Sequence, residues 1–160
     1  MSCCGGCGDT TLHQGVITFQ GKPMPLEGTI NRIGLEAPDF TVVGNDLAPA
    51  KLSDFKCKKV LISVVPSLDT GVCDMQTRRF NTEASKLPGV QVLTISMDLP
   101  LAPARWFGAA GVSNLAPVCE HRCADFGLRY GLLTRELCPL TRARLAASVN
   151  RLPFPPYSLP

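Results

Sequence analysis

The residues best suited to chemistry in this chain lie in the segment 66–73, which reads P-S-L-D-T-G-V-C. A β-branched run, Lys59–Val65, stops at Pro66, and apolar residues at helical spacing surround Cys73, so the cysteine is predicted to lie in the first turn of a helix. The unpaired N–H groups and the positive end of the helix dipole favour a thiolate there. Because the thiolate is the nucleophilic form of cysteine, Cys73 is the candidate catalytic residue.

Thr70 and Pro66, which both precede Cys73, are predicted to shape its site. Thr70 precedes it by three positions, so its hydroxyl can turn toward the sulfur, and Pro66 can shield the pocket. The alternative is that Cys73 is a small buried residue that fills space under a sheet, as free cysteines commonly do. The order of strand, proline, threonine, cysteine and helix favours the catalytic interpretation.

The elements that must position this segment alternate between strands and helices. The predicted elements are a hairpin between Gly15 and Leu26, a strand entered through residues 35–44, the strand Lys59–Val65, a helix from Val72 to Leu87, the strand Val90–Ser96, a helix from Pro103 to Ala110, the strand Leu115–Val118 and a helix from Ala124 to Tyr130. Continuous β-branched runs are typical of strands buried on both faces of a sheet. The pattern predicts an α/β domain in which Lys59–Val65 and Val90–Ser96 are neighbouring central strands.

Length and composition exclude several functional classes. The chain has 160 residues, of which 45 % are hydrophobic and 18 % charged, as in one folded domain rather than a disordered chain. The net charge of +3 comes from 16 scattered basic and 13 acidic residues, so no nucleic-acid surface is expected. No apolar run is long enough to span a membrane and no secretory leader is visible, so a cytoplasmic protein is expected.

The chain is expected to have three parts. These are a flexible Cys/Gly-rich head at residues 1–13, a domain at residues 14–143, and a tail at residues 144–160 that has four prolines and no acidic residue and is predicted to be disordered.

The eight cysteines are interpreted as redox-active, metal-binding or packing residues, since intracellular proteins rarely use structural disulfides. The head holds Cys3, Cys4 and Cys7, and the sequence assigns them no role. One C-x-x-C pair is a weak metal signal, so no metal is expected.

Segment 66–73 resembles a known active site. Pro66, Thr70 and Cys73 match the P-x-x-x-T-x-x-C motif of peroxiredoxins, and the whole string is similar to the P-S-[IL]-D-T-x-V-C string of their thiol peroxidase subfamily, the atypical two-cysteine type. Other segments resemble the same subfamily: Val16–Leu26, Ala37–Phe40, Arg79–Asn81 and Ser96–Pro100 with Ala104 and Arg105. The resemblance spans about residues 14–143.

The resemblance implies a thioredoxin-like fold, usually dimeric, and a thiol-dependent peroxidase. It implies reduction of hydrogen peroxide and organic hydroperoxides with electrons from thioredoxin or another small thiol, and no metal or organic cofactor. The peroxidatic cysteine of the family maps onto Cys73, its threonine onto Thr70 and its proline onto Pro66. The family's arginine maps onto Arg142, for which the alternative is a solvated surface arginine.

The sequence departs from this family at the resolving cysteine. The family has an R-F-C-G-like string where residues 105–108 read R-W-F-G, so Phe107 stands at the cysteine position. Three alternatives remain: Cys119, Cys123 or Cys138 resolves the oxidised Cys73, an outside thiol does so, or the enzyme is not recycled.

The C-terminus departs as well. The family continues after the arginine with two antiparallel strands and a closing helix, which are expected to be missing here, as after a truncation or a change of reading frame near codon 143. The alternatives to an active peroxidase are then a thiol-based redox sensor or interaction module and an inactive truncated product.

Overall fold

Two β-sheets and three helices form the part of the chain that the computed structural model describes, residues 11–32, 34–55, 59–134 and 140–148. The strands are β1 Leu12–Phe19, β2 Lys22–Glu27, β3 Thr41–Gly44, β4 Pro49–Lys51, β5 Lys59–Val64, β6 Val90–Ser96, β7 Ala116–Cys119, β8 Leu133–Thr134 and β9 Ala143–Ser148. The helices are α1 Gly71–Ala84, α2 Leu101–Ala110 and α3 Asp125–Arg129, and a 3-10 turn covers Leu52–Phe55. Within the described ranges, no helix is both long and apolar enough to cross a membrane.

The larger sheet has six strands in the order β4-β3-β7-β6-β5-β9. Strands β5 and β6 are parallel, with Lys59 opposite Val90 and Val64 opposite Ile95, and β7 is parallel to β6. The prediction that the two β-branched runs are neighbouring central strands is therefore confirmed. The carboxyl ends of these three strands lie at one edge of the sheet, which is where α1 begins.

Alternate residues of β5 face opposite sides of the sheet, as strand geometry requires. Val60 and Ile62 belong to one core with Phe126 and Tyr130, whereas Leu61 packs on the other side. The cluster on that second side, called here the α1–α2 cluster, is built from the buried residues Val65, Leu68, Cys73, Val92, Phe107 and Leu115. The candidate cysteine is thus part of the packing between the sheet and its helices.

The prediction that residue 144 begins a disordered tail is wrong for residues 144–148. They belong to β9, which pairs antiparallel with β5 from Ala143 opposite Val64 to Ser148 opposite Lys59. Buried Leu145 and Ala147 alternate with exposed Arg144, the period of a strand with one buried face. At least one strand after Arg142 is therefore present, and residues 149–160 lie outside the described part.

The smaller sheet confirms the N-terminal hairpin. Strands β1 and β2 are antiparallel around Gln20 and Gly21, whose φ angles of 50° and 80° suit a tight hairpin turn. Because β1 begins at Leu12, the predicted head at residues 1–13 is wrong for its last two residues. Cys3, Cys4 and Cys7 lie outside the described residues. Strand β8 adds to β2 through Leu26 opposite Thr134.

Candidate active site

Cys73 is the third residue of α1, in the first helical turn, as the sequence predicts. Thr70 is the N-cap, with extended backbone at φ −96° and ψ 138°, and its carbonyl accepts the first helical hydrogen bond from the Asp74 N–H at 2.9 Å. Cys73 is 0 % exposed. The cysteine therefore combines a helix N-terminus with complete burial against the sheet.

Arg142 meets Cys73 although 69 positions separate them in sequence. Its Nη2 lies 3.6 Å from Sγ of Cys73, because Arg142 immediately precedes β9, which pairs with β5, and the loop after β5 leads into α1. The Nε of Arg142 is buried and has no hydrogen-bond partner among the described residues. A guanidinium in this position stabilises negative charge on the sulfur and retains a donor for a bound molecule.

The Thr70 hydroxyl is not turned toward the sulfur in this structure. It donates its one proton to the Ser67 carbonyl at 3.1 Å, and the side chain is exposed. Pro66 is half-buried where the chain leaves β5. A residue from outside the turn between Pro66 and Thr70 stabilises it, since the Leu68 N–H donates a hydrogen bond to the Asp98 carboxylate at 2.9 Å. The structure thus brings Pro66 and Thr70 to the start of α1 but leaves the hydroxyl bonded within its own turn.

Several neighbours of Cys73 were not singled out from the sequence. Buried Thr77 donates its hydroxyl proton to the Cys73 carbonyl at 2.8 Å, one helical turn on. Asp74 accepts hydrogen bonds from Trp106 of α2 at 3.1 Å and from Arg78 at 2.9 Å. Helical spacing could have indicated Thr77 and Arg78, but only the packing of α2 on α1 shows that Trp106 reaches Asp74.

Phe107 occupies the α1–α2 cluster beside Cys73 and is 6 % exposed. The side chain that stands at the resolving position of the resembled family is therefore a packed core residue here. Its ring also contacts that of Trp106, with centroids 5.3 Å apart.

The described part of the chain holds three free cysteines, Cys73, Cys119 and Cys123. Buried Cys119 lies on β7 opposite Ser96 of β6. Burial, with Asp98 nearby, raises the pKa of the Cys119 thiol to about 11. A buried thiol with a raised pKa is a poor nucleophile, so Cys119 is poorly suited to resolve Cys73. Cys123 is exposed in the turn after β7, and Cys138 lies outside the described residues.

A second buried ionisable group lies at the end of β7. The Glu120 carboxylate is 3 % exposed and accepts hydrogen bonds from the backbone N–H groups of Phe126 and Gly127 at the start of α3. Burial raises the pKa of Glu120 to about 8, against the lowering effect of those backbone donors. Among the described residues, no group of three or more His, Cys, Asp or Glu side chains could hold a metal ion.

Comparison with known proteins agrees with this fold and shows the family. The family model described as Redoxin matches residues 32–148. The chain is 52 % identical over 134 residues to the thiol peroxidase of Oceanobacillus iheyensis, covering 84 % of this chain and 82 % of that protein. It is 51 % identical over 134 residues to the thiol peroxidase of Bacillus subtilis, covering 84 % and 80 %.

Solved structures show the same likeness. A peroxiredoxin-like protein from Aquifex aeolicus superposes with a TM-score of 0.81 at 31 % identity, covering 89 % of this chain and 85 % of that one. A thiol peroxidase from Chromobacterium violaceum superposes with a TM-score of 0.74 at 26 % identity, covering 84 % and 81 %.

The chain belongs to the Redoxin family, and its α/β fold is the thioredoxin-like fold of peroxiredoxins. Within that family its function is that of a thiol-dependent peroxidase of the thiol peroxidase type. It therefore uses a peroxide as oxidising substrate and a thiol as reductant. The 52 % identity to thiol peroxidases does not favour the alternative of a redox sensor or an inactive product.

Proposed function

We propose that Cys73 is the peroxidatic cysteine, that Arg142 stabilises the reacting charge, and that Thr70 and Pro66 frame the peroxide site. The observation that carries the proposal is the 3.6 Å contact between the Arg142 guanidinium and the Cys73 sulfur at the start of α1. The helix N-terminus and the guanidinium both stabilise the thiolate that attacks.

The proposed reaction uses these groups directly. The thiolate attacks one peroxide oxygen, an S–O bond forms as the O–O bond breaks, and the departing oxygen takes a proton to become water or an alcohol. Cys73 is oxidised by two electrons to sulfenic acid. Arg142 and the backbone N–H groups at the start of α1 face the negative charge that develops, which is where preorganised donors are most effective. Thr70 would take part by turning its hydroxyl from Ser67 to a bound peroxide.

The test is substitution of the nucleophile. Cys73→Ser is expected to abolish peroxide consumption and sulfenate labelling, because serine cannot supply a thiolate at neutral pH. The matched controls are Cys119→Ser and Cys123→Ser, which are expected to keep the first sulfenate-forming step. Stoichiometric labelling after one equivalent of peroxide gives the measurement, and undiminished labelling of Cys73→Ser would contradict the assignment.

The proposed reductive step uses an outside thiol, with thioredoxin as the reductant for both hydrogen peroxide and organic hydroperoxides. Two observations support it: Phe107 is packed where the resembled family has its resolving cysteine, and Cys119 is buried with a raised pKa. Peptide mass mapping after one equivalent of peroxide is expected to show no quantitative intramolecular disulfide. A Cys73 disulfide to Cys119, Cys123 or Cys138, formed as fast as peroxide is consumed, would replace this proposal with a relocated resolving cysteine.

A homodimer and a cytoplasmic location are further parts of the proposal. Val72 and Met75 are 52 % and 63 % exposed and lie three positions apart on α1, so they offer an apolar face next to Cys73. Light scattering of the chain and of Val72→Lys tests the dimer, since an unchanged mass would exclude this face. The free thiols of the described cysteines suit a reducing compartment, and fractionation of cells tests that location.

A further inference from the structure

An apolar groove lies on the α1 side of the larger sheet, along the half of α1 away from Cys73. The paired residues Leu61 and Val92 form its floor, and α1 with the turn after it supplies one wall through Phe80, Ala84 and Leu87. Strand β9, the last strand in the order of this sheet among the described residues, lies on the other side. The groove has a volume of about 510 Å³, in the range of clefts that hold a ligand.

The groove is an open edge of the α1–α2 cluster. Leu61, Phe80 and Ala84 pack against that cluster but are only partly buried, and Leu87 is 44 % exposed. Opposite Leu61, β9 offers only the small side chain of Ala146. Because covering apolar side chains is favourable, the groove suits an apolar occupant.

Strand β9 brings the following segment of the chain to one end of this groove. Its last residue, Ser148, lies opposite Lys59 at the amino end of β5. Helix α1 connects the carboxyl end of β5 to the amino end of β6, so Leu87 lies at that same end of the sheet. Residues 149–160, which lie outside the described part, therefore continue from the open end of the groove.

The sequence of residues 149–160, V-N-R-L-P-F-P-P-Y-S-L-P, is suited to a groove of this kind. Proline-rich segments favour the polyproline II conformation, which loses little entropy on docking and binds to aromatic-lined grooves. With three residues per turn, Phe154 and Tyr157 share one face and lie about 9 Å apart. At the helical rise, Phe80 and Leu87 are separated by about 10 Å, so the two spacings match.

The segment is long enough to turn back into the groove of its own chain. Phe154 follows Ser148 by six positions, so an extended chain reaches up to about 20 Å. The floor of the groove at Leu61 lies about 7 Å back along β5 from Lys59. Asn150 is a residue type that favours the reversal of direction. Because the tether raises the effective concentration to about the millimolar range, this segment is favoured over a separate chain.

We propose that residues 149–160 fold back into this groove, with Phe154 against Leu87 and Tyr157 against Phe80. The segment thereby completes the α1–α2 cluster and holds β9 against β5. This proposal replaces the disorder that composition predicts for residues 149–160. It does not depend on the proposed role of Cys73, so either proposal can fail without the other.

Limited proteolysis of the full chain by chymotrypsin tests the docking. Leu152 and Phe154 precede prolines, where this protease does not cut, so the bond between Tyr157 and Ser158 is the aromatic cleavage site of the segment. Leu87→Glu places a charge in the groove and is expected to speed cleavage there about tenfold, since cleavage tracks the undocked population. The matched control is Leu99→Glu, an exposed leucine at the other end of the sheet, which should leave the rate unchanged. Equal rates for the native chain and Leu87→Glu would overturn the proposal.

A double-mutant cycle measured by urea unfolding supplies the second arm. Phe154→Ala is expected to lower the equilibrium constant for folding about tenfold, because a partly buried ring is lost. In a Leu87→Ala background the same change should have little further effect, since both substitutions remove one contact. Leu152→Ala, on another face of the polyproline II helix, is the control within the segment and should change the constant much less. Additive effects of Phe154→Ala and Leu87→Ala would contradict the docking.

Protein concentration distinguishes docking within one chain from docking on a second copy. For the proposed arrangement, the rate of cleavage after Tyr157 stays the same over a wide range of concentration. Protection that increases with concentration would assign the groove to the same segment of a second copy and would overturn docking within the chain.

Discussion

At the scale of single residues, Arg142 shows how one contact defines the site. Its Nη2 is 3.6 Å from the Cys73 sulfur, and its buried Nε has no partner among the described residues. An unpaired buried donor is costly unless a ligand satisfies it, since it has lost its hydrogen bonds to water. This unpaired donor supports the proposal that Arg142 binds a peroxide oxygen.

We expect Arg142→Gln to slow sulfenic acid formation about 100-fold, the usual cost of removing one donor aimed at developing charge. Arg142→Lys should recover part of the loss, because it restores the charge without the planar fork. The matched control is Arg144→Gln, two positions further on in β9, where the side chain is exposed over the Phe80 ring. Rapid-mixing measurement of sulfenate formation gives the rates, and equal rates for the two glutamine variants would remove Arg142 from the reaction.

At the scale of elements, the junction of β7 and α3 depends on one buried carboxyl group. The Glu120 carboxyl accepts hydrogen bonds from the N–H groups of Phe126 and Gly127, so it satisfies donors that have no partner within the short helix α3. Its pKa of about 8 lies above its ordinary value of 4.5, because burial outweighs those hydrogen bonds. The junction is therefore sensitive to pH.

The sign of that sensitivity follows from proton binding. Between pH 4.5 and 8 the folded state retains a proton on Glu120 that the unfolded chain has lost, so the free energy of unfolding falls as pH rises and levels off above pH 8. Glu120→Gln, which keeps an acceptor oxygen and cannot ionise, should remove this fall and be more stable at pH 8 by on the order of 2–4 kcal/mol. Urea unfolding from pH 5 to 8.5 measures it.

Asp46→Asn provides the control, because Asp46 is an exposed acid whose carboxylate also accepts a backbone N–H, that of Ala48. Asp46→Asn measures how much the loss of one surface charge changes the pH dependence of the free energy of unfolding. If the wild-type curve and the Glu120→Gln curve run parallel across the whole pH range, Glu120 is not the group responsible.

At the scale of the whole molecule, β9 joins Arg142, the arginine proposed to act on the peroxide, to the core. The strand pairs with β5 at six positions, and Leu145 is 1 % exposed in the core that contains Phe126 and Tyr130. Loss of one such side chain is a large fraction of a net stability of about 5–15 kcal/mol. The first part of the segment that the sequence predicted to be a tail, residues 144–148, is thus a strand that contributes to the core.

Leu145→Ala is expected to lower the free energy of unfolding by about 2–4 kcal/mol through lost burial and the cavity that remains. Arg144→Ala, one position earlier and exposed, should change it by no more than about 0.5 kcal/mol. Chemical denaturation measures the free energy of unfolding of both variants, and an unchanged m-value shows that the two values can be compared. If the two variants were equally stable, β9 would not be part of the core in solution.

The sequence by itself determined the local features of this protein. The β-branched runs predicted β5 and β6 because continuous burial on both faces leaves a periodic signature. Residues 66–73 predicted the turn and the helix start with Cys73 in its first turn, because proline, turn residues and helical spacing act over a few residues. Motif resemblance then indicated the family and the arginine.

The tertiary structure decided what depends on distant residues. It brought Arg142 to Cys73 through the β5–β9 pairing and Trp106 to Asp74 through the packing of α2 on α1. It left the Thr70 hydroxyl on Ser67, because the conformation of the turn places a carbonyl within its reach. It made residues 144–148 a strand, although their composition suggested a tail, because β5 offers backbone partners and the core accepts Leu145. A sequence records which residues can form such contacts, and only the folded chain selects among them.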